Sequence, residues 1–527
     1  MSGGAAPALR TAAIVAGGGL AGLALLAGAL SLGSNALAIL PVLLFGTAAL
    51  LAWTGRPQWL LVGAVFFTAP IDISKALVPP IAQFYSPGLY LTVGHVALLG
   101  LTLLWLARRL LVQRRLPPFG RADAAVLVFL ALVWFGALRS PQGGLAIASA
   151  LSYSLAVLAF YVASHAIDDP ADWRMLLRAS VAVVLVQAVW VALQFVTKLP
   201  LALPGSKSQT GGELRFGGEG FAFRPSGFLE HPNALADHMT LVIPVALALL
   251  LLGRRRLPAL VWWAALLTLG AAAFQLLLSL SRGGWLSTVA GCLLVIAVYW
   301  RRGLVRTRQI AALAALTVVA VAVVIAAYPS ILLRLTGGDD RALESRSILN
   351  NQALAIIRTA PLAGVGFGAY NRAAYETIAP AFALISPEYQ QSLLRLVVHN
   401  HYLLLAAELG IPTAAYFALL LLAFLRLPWT VRRWQDPAMY ALAIGLIGAL
   451  LAQLIFLNSD NYYADIRVYL LWLMLGVLRG ACRNGRRDEA AGDAEAGASA
   501  PVPALPVAAH PARPEPATPR LLPAPRG

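Results

Sequence analysis

Apolar runs of about 18 residues or more recur along this chain, and no other feature constrains its fold as strongly. Each run can cross a bilayer core of roughly 30 Å as a helix. In lipid, only helices and closed barrels satisfy every backbone N–H and C=O. The runs are continuous rather than alternating, which selects helices. The composition agrees: 527 residues, 59% hydrophobic, 12% charged, mean hydropathy +0.75. No soluble domain of this size has that balance. The first run follows a short segment containing Arg10, which superficially suggests a signal peptide. It is too long for one, and many similar runs follow, so it reads as the first span.

The expected fold class is all-α integral membrane, a polytopic helical bundle of about 12–14 transmembrane helices. The fourteen expected spans are 12–32, 36–54, 58–72, 92–110, 122–138, 144–165, 174–197, 233–252, 258–278, 283–300, 309–328, 404–425, 438–457 and 465–480. With Arg10 placed in the cytoplasm, alternation brings Arg56, Arg108–Arg109, Arg114–Arg115, Arg121, Arg254–Arg256, Arg301–Arg308, Arg426–Arg433 and Arg479–Arg487 to that same side. Basic residues favour the cytoplasmic side, so both termini are expected there. The formal net charge of +17 is then mostly topology, and a nucleic-acid partner is not indicated.

The tail from about Arg483 is rich in Ala and Pro and lacks apolar periodicity, which predicts disorder, with no role for His510. Cys292 and Cys482 are far apart, one in a span and one at a cytoplasmic end, and indicate neither a disulfide nor a zinc site.

Two connections expected outside are long, 198–232 and 329–403, and long connections are usually functional or disordered. Neither reads as disordered. In the second, Ile348, Ala353, Leu354 and Ile357 stand at helical spacing before a glycine-rich turn, Gly364–Gly368. That predicts an amphipathic helix on or near the outer surface.

This face also collects cations: Arg224 in "RPSGFLEHPN", Arg282 in "LSLSRGGW", Arg346 at the head of the amphipathic helix, and His399 in "LVVHNHYLLL". Arg282 is flanked by about 20 apolar residues on each side, where an unpaired guanidinium is costly. Snorkelling or pairing with Glu230 or Asp237 would explain one such arginine. Three with a histidine point to an anionic ligand, since the guanidinium fork suits phosphate and diphosphate oxygens. Histidine titrates near neutrality and suits proton abstraction from a sugar hydroxyl. Asn400 would orient His399 or bind a sugar, and His401 would point well away from His399 if the helix has begun. A structural role for the histidines, or metal binding by His399 and His401, is the alternative, although no Asp/Glu set at ligand spacing accompanies them.

Four stretches resemble the bacterial O-antigen ligase and polymerase superfamily: "RPSGFLEHPNALADHM", "LSLSRGGWLSTVAG", "RSILNNQALAIIRTAPLAGVGFGAY" and "HNHYLLLAAELGIPT". The last fits the ligase spacing through His399, Asn400, Gly410 and Thr413. The resemblance covers about 224–425 and implies a GT-C-like bundle with two long periplasmic loops. It implies transfer of a glycan from undecaprenyl diphosphate in the inner membrane, with inversion and without metal, cofactor or nucleotide sugar. Arg282 and Arg346 look like the family's two essential arginines and His399 like its catalytic histidine. Arg224, Asn233, Asn400 and His401 are expected as substrate contacts. The acceptor is lipid A-core for a ligase, a second glycan for a polymerase, and Ser or Thr for a protein O-glycosylating relative. Transport remains the reading of a different class, and the scarcity of mid-span charge speaks against it. The expected division is 1–222 N-terminal spans, 223–428 catalytic region, 429–482 C-terminal spans and 483–527 tail.

Overall fold

The computed structural model describes residues 57–78, 88–203, 205–206, 212–215, 221–328, 331–332, 340–380, 382, 385–462 and 466–498. The expected spans 12–32 and 36–54 lie outside the described residues.

The chain is an all-α membrane bundle, and eight of its described helices are long and apolar enough to cross a bilayer. In order, α1 (Pro57–Thr68) is short, a hairpin of β1 (Ser74–Val78) and β2 (Leu89–Thr92) follows, and α2 (Val93–Ala107) continues as a π-turn over Arg108–Val112. Then come α3 (Arg121–Leu138), α4 (Gly144–Ala166) and α5 (Pro170–Thr197). A second hairpin, β3 (Gly212–Arg215) with β4 (Phe221–Arg224), leads into α6 (Pro232–Leu252), α7 (Ala259–Leu278), α8 (Arg282–Arg301) and α9 (Thr307–Ala327). The long second connection folds into α10 (Asp340–Thr359), α11 (Tyr370–Glu376) and α12 (Pro387–Leu394). Then α13 (His401–Leu409), α14 (Ile411–Phe424), α15 (Pro437–Phe456) and α16 (Ile466–Ala498) complete the described fold.

Local chemistry sets the starts of these helices. Proline stands first in α5, α6 and α15, where its missing N–H is no loss, and the preceding Asp169, His231 and Asp436 accept backbone N–H groups as caps. The bundle closes where small residues let backbones meet. A side chain at Gly291 of α8 would strike the Gly448 carbonyl of α15, and one at Gly448 would lie 2.6 Å from Val295. Without a water-driven hydrophobic effect between spans, such close packing is a main source of helix association.

Four expectations need correction. The span expected over 404–425 is two helices, α13 and α14, broken at Gly410. Gly410 has φ 85, and a β-carbon there would collide with the Leu362 carbonyl. The last helix does not stop at 480, and residues 483–498 are helical rather than disordered, because α16 continues to Ala498; the rest of the expected tail lies outside the described residues. The stretch after Arg486 is rich in alanine, the best helix former, and the Arg432 N–H donates to Glu489 at 3.2 Å. The two antiparallel hairpins were not anticipated, since their strands of four or five residues are too short to register against the apolar runs. On α10 the buried stripe is Ile348, Leu349, Gln352, Ala353, Ile356 and Ile357, whereas Leu354 is 41% exposed.

The bundle has two chemically distinct ends. At one end meet the starts of α6, α8, α13 and α16 and the turn after α15. At the other, Arg479 and Arg483 of α16 meet Asp123 at the start of α3 and Asp168 after α4. Arg479 and Arg483 thus lie at the end of the bundle opposite His399.

Candidate active site

The approach to α13 is fixed before His399 is reached. The Asn371 amide donates to the Leu394 carbonyl at 3.0 Å and the Leu396 carbonyl at 3.3 Å. The Asn461 amide donates to the Val398 carbonyl at 3.2 Å. Asn400 is the N-cap of α13, its side-chain oxygen accepting the Leu403 N–H at 3.1 Å. Its oxygen therefore serves the helix start.

His401 is corrected more strongly. It is 2% exposed, its N–H donates to the Leu457 carbonyl at 2.8 Å, and its Nδ1 accepts the Tyr462 N–H at 3.3 Å. Its ring packs 5.5 Å from Phe417 and 5.7 Å from Tyr462. His401 pins α13 to the turn between α15 and α16, away from solvent.

His399 faces the opposite way. Its Nδ1 lies 3.3 Å from Asp460, its side chain is 36% exposed, and Asp460 is also paired to Arg467 at 3.1 Å. Burial alone would raise the Asp460 pKa, but the Arg467 charge and the His399 hydrogen bond outweigh it and hold the carboxyl well below the usual range. Asp460 is therefore an anion that accepts Nδ1–H, which leaves Nε2 as the ring nitrogen not engaged in the pair. Beneath this pair, Gln453 donates to Asp237 at 2.8 Å, Tyr462 donates to Asp237, and the Arg467 guanidinium lies 5.2 Å from the Tyr462 ring. These bonds brace the turn that presents Asp460.

Arg282 opens α8 directly after the cap Ser281, whose Oγ accepts the Gly284 N–H at 3.4 Å. The preceding Leu280 has φ 50, a left-handed conformation that a leucine adopts only when its surroundings hold it. Arg224 supplies part of that hold. It is 8% exposed, and it donates through Nε to the Ser279 carbonyl at 2.7 Å and through Nη2 to Asn233 at 2.8 Å. Arg224 and Asn233, expected as substrate contacts, bond to each other and to the turn that carries Arg282. A side chain at Gly283 would strike Ser459, so the start of α8 presses against the turn bearing Asp460. Arg282 and His399 thus flank one turn.

His231, exposed at the start of α6, belongs to the same cluster, with Arg224, Asp460, Arg467 and His399 as its titratable neighbours. Desolvation first, then the Arg224 charge, lowers its pKa to about 4. It is neutral at pH 7, and its Nδ1 accepts the Asn233 N–H at 3.0 Å. Arg346 is placed differently. It is exposed on α10, which packs on α13, and among the described residues no hydrogen bond or ion pair links it to Asp460 or His399.

The sequence region matched by these elements is now definable. Residues 267–418 match the family model for O-antigen ligase. No curated protein matches the chain. The O-antigen ligase segment runs from within α7 into α14 and contains Arg282, Arg346, His399 and Gly410. The resemblance read from the sequence is therefore borne out over that segment, and it supports an O-antigen ligase- or polymerase-like function in a membrane-bound enzyme.

Three residues of the cluster escaped sequence reasoning: His231, Asp460 and Arg467. Asp460 and Arg467 lie beyond the O-antigen ligase segment, in "NSDNYYADIR" between two apolar runs. Charge in a short connector between two spans, on the face already rich in arginine, was the available signal. Glu408 was also missed. It is 1% exposed and accepts the Gly368 and Tyr370 N–H groups at 3.0 and 3.1 Å. Several positions of the His399–Thr413 stretch therefore hold shape: Asn400 caps, Glu408 clamps the glycine-rich turn, and Gly410 bends the chain.

Proposed function

We propose that this chain is an inner-membrane glycosyltransferase that moves a glycan from undecaprenyl diphosphate to an acceptor hydroxyl at the periplasmic face, with lipid A-core as acceptor. The carrying observation is the half-exposed His399, held by a buried ionised Asp460 beside the turn that bears Arg282. In this reading 198–232 and 329–403 are periplasmic and both termini are cytoplasmic.

The reaction follows from the groups present. Nε2 of His399 accepts the proton of the acceptor hydroxyl as its oxygen attacks the anomeric carbon. The new C–O bond forms as the bond to the diphosphate breaks, and undecaprenyl diphosphate leaves with the electron pair. Attack opposite the leaving group inverts the anomeric configuration. Arg282 binds the diphosphate and stabilises the charge that develops on it, and Arg346 joins it from α10. Asp460 keeps the His399 tautomer and stabilises the imidazolium while the proton is held. The chemistry uses no metal, cofactor or nucleotide sugar.

The test is a reconstituted assay in proteoliposomes with undecaprenyl-diphosphate glycan. Lipid A-core supplied as acceptor should become glycosylated. Product consisting only of lengthened glycan on undecaprenyl diphosphate would assign polymerase activity instead, and no product with either acceptor would overturn the reading.

A further inference from the structure

At the end of the bundle far from His399 lies a crevice of about 310 Å³ between α3 and α4. Its walls are Val126, Leu127 and Leu130 of α3 and Val157, Leu158 and Tyr161 of α4. Both helices are long and apolar enough to lie in a bilayer, so the crevice faces hydrocarbon rather than water. Its polar neighbours are already engaged. Ser154 accepts the Trp134 indole N–H at 3.0 Å, and Asp123 is paired with Arg479. What remains for an occupant is apolar surface.

The end of the crevice is crossed by the connector from the π-turn to α3, which contributes Phe119 to the lining. Two bonds fix this strap: Tyr161 donates to the Pro118 carbonyl at 2.7 Å, and Arg109 Nε donates to the Leu116 carbonyl at 2.9 Å. The strap is apolar and basic at once. Leu116 is 82% and Phe119 64% exposed, and Arg114, Arg115 and Arg121 are exposed between and beside them. No acidic residue lies between Arg109 and Arg121 in the sequence, and the nearest, Asp123, is neutralised by Arg479. An apolar slot ending under exposed arginines matches a molecule with a hydrocarbon chain and an anionic head.

We propose that this crevice is a binding site for an anionic glycerophospholipid, one acyl chain lying between α3 and α4 and the phosphate resting on Arg114, Arg115 and Arg121. The site is independent of the glycan chemistry. It ties the strap, and through it the α2–α3 connection, to the adjoining leaflet.

The full-length protein, purified in detergent, is tested by native mass spectrometry with dioleoyl phosphatidylglycerol or dioleoyl phosphatidylcholine added at equal concentration. Wild type should retain one phosphatidylglycerol in preference to phosphatidylcholine, by roughly fivefold for each arginine engaged. Leu130→Trp and Leu158→Trp, each filling the crevice, should lower that occupancy at least severalfold. The triple change Arg114→Gln, Arg115→Gln, Arg121→Gln should leave lipid bound while removing the preference for phosphatidylglycerol. Using two separate filling variants guards against one that fails to fold. Equal retention of the two lipids by wild type would overturn the proposal, as would unchanged phosphatidylglycerol retention in a folded filling variant.

Discussion

Each end of the bundle holds an aspartate shared between an arginine and a histidine, yet the two triplets are suited to opposite tasks. At one end Asp123 pairs with Arg479 and with His165 at 3.2 Å, and at the other Asp460 pairs with Arg467 at 3.1 Å and His399 at 3.3 Å. Both aspartates are buried and both arginine side chains are 12% exposed. The histidines differ: 4% of the His165 side chain is exposed, against 36% for His399. Arg483 lies 3.0 Å from Nδ1 of His165. Arginine only donates, so that nitrogen accepts and Nε2–H goes to Asp123. Both ring nitrogens of His165 are consumed in tying α3, α4 and α16 together. His399 has one nitrogen engaged and a face open to solvent, and among the described residues its Nε2 has no partner. Residue identity alone does not make a reactive histidine; an unspent nitrogen within reach of a substrate does.

That contrast can be broken by matched substitutions at the two ends. The largest expected effect on stability is at the closed end. Asp123→Ala leaves Arg479 as a buried, uncompensated charge, a change that costs about 3–5 kcal/mol in such pairs. Thermal unfolding in detergent should show a large fall in midpoint, whereas the matched Asp460→Ala, whose carboxylate meets Arg467 through one oxygen and a histidine open to solvent through the other, should fall less. Turnover should rank the two oppositely, with the folded fraction of the Asp460 variant losing transfer and the folded fraction of the Asp123 variant keeping it. Equal turnover loss per folded molecule would remove the distinction between the ends.

A smaller effect separates the two arginines of the proposed site. Arg282→Lys keeps charge but loses the bidentate fork, and should reduce transfer by roughly tenfold or more, seen mainly as weaker use of the diphosphate donor. Arg346→Lys should fall less, since Arg346 is exposed on α10 and among the described residues no hydrogen bond or ion pair ties it to Asp460 or His399. An Arg346 variant with the greater loss would move the diphosphate toward α10.

The smallest effect is in the pH dependence of stability. His231 has a folded pKa of about 4, below the ordinary histidine value of about 6.5. The unfolded chain therefore binds more protons between these values, and stability falls as pH drops from about 6.5 toward 4. His231→Asn retains a side-chain acceptor for the Asn233 N–H and should flatten the curve in that window. An unchanged slope in urea titrations at pH 7 and pH 5 would show that His231 does not contribute it.

The sequence made the spans legible because apolar length is a local property, and it marked Arg282 and His399 because cations are conspicuous beside apolar runs. Other features depended on tertiary contact. The break at Gly410 follows from the Leu362 carbonyl pressing on it, which spacing does not reveal. Arg224, Asn233 and Asn400 stand at the same end of the bundle as His399, and the hydrogen bonds they make run to the scaffold. Asp460 carries a different lesson: a carboxylate 61 residues from His399 becomes its partner only when the α15–α16 turn is folded against the start of α13.

The most direct measurement compares His399→Ala with His165→Ala in the reconstituted transfer assay, with donor binding and folded fraction measured in parallel. His399→Ala should lose transfer by about 10² to 10⁴, the range for a lost acid–base group, while undecaprenyl-diphosphate glycan still binds. His165→Ala should lower stability and leave transfer per folded molecule near wild type. Near wild-type transfer by folded His399→Ala would contradict the account.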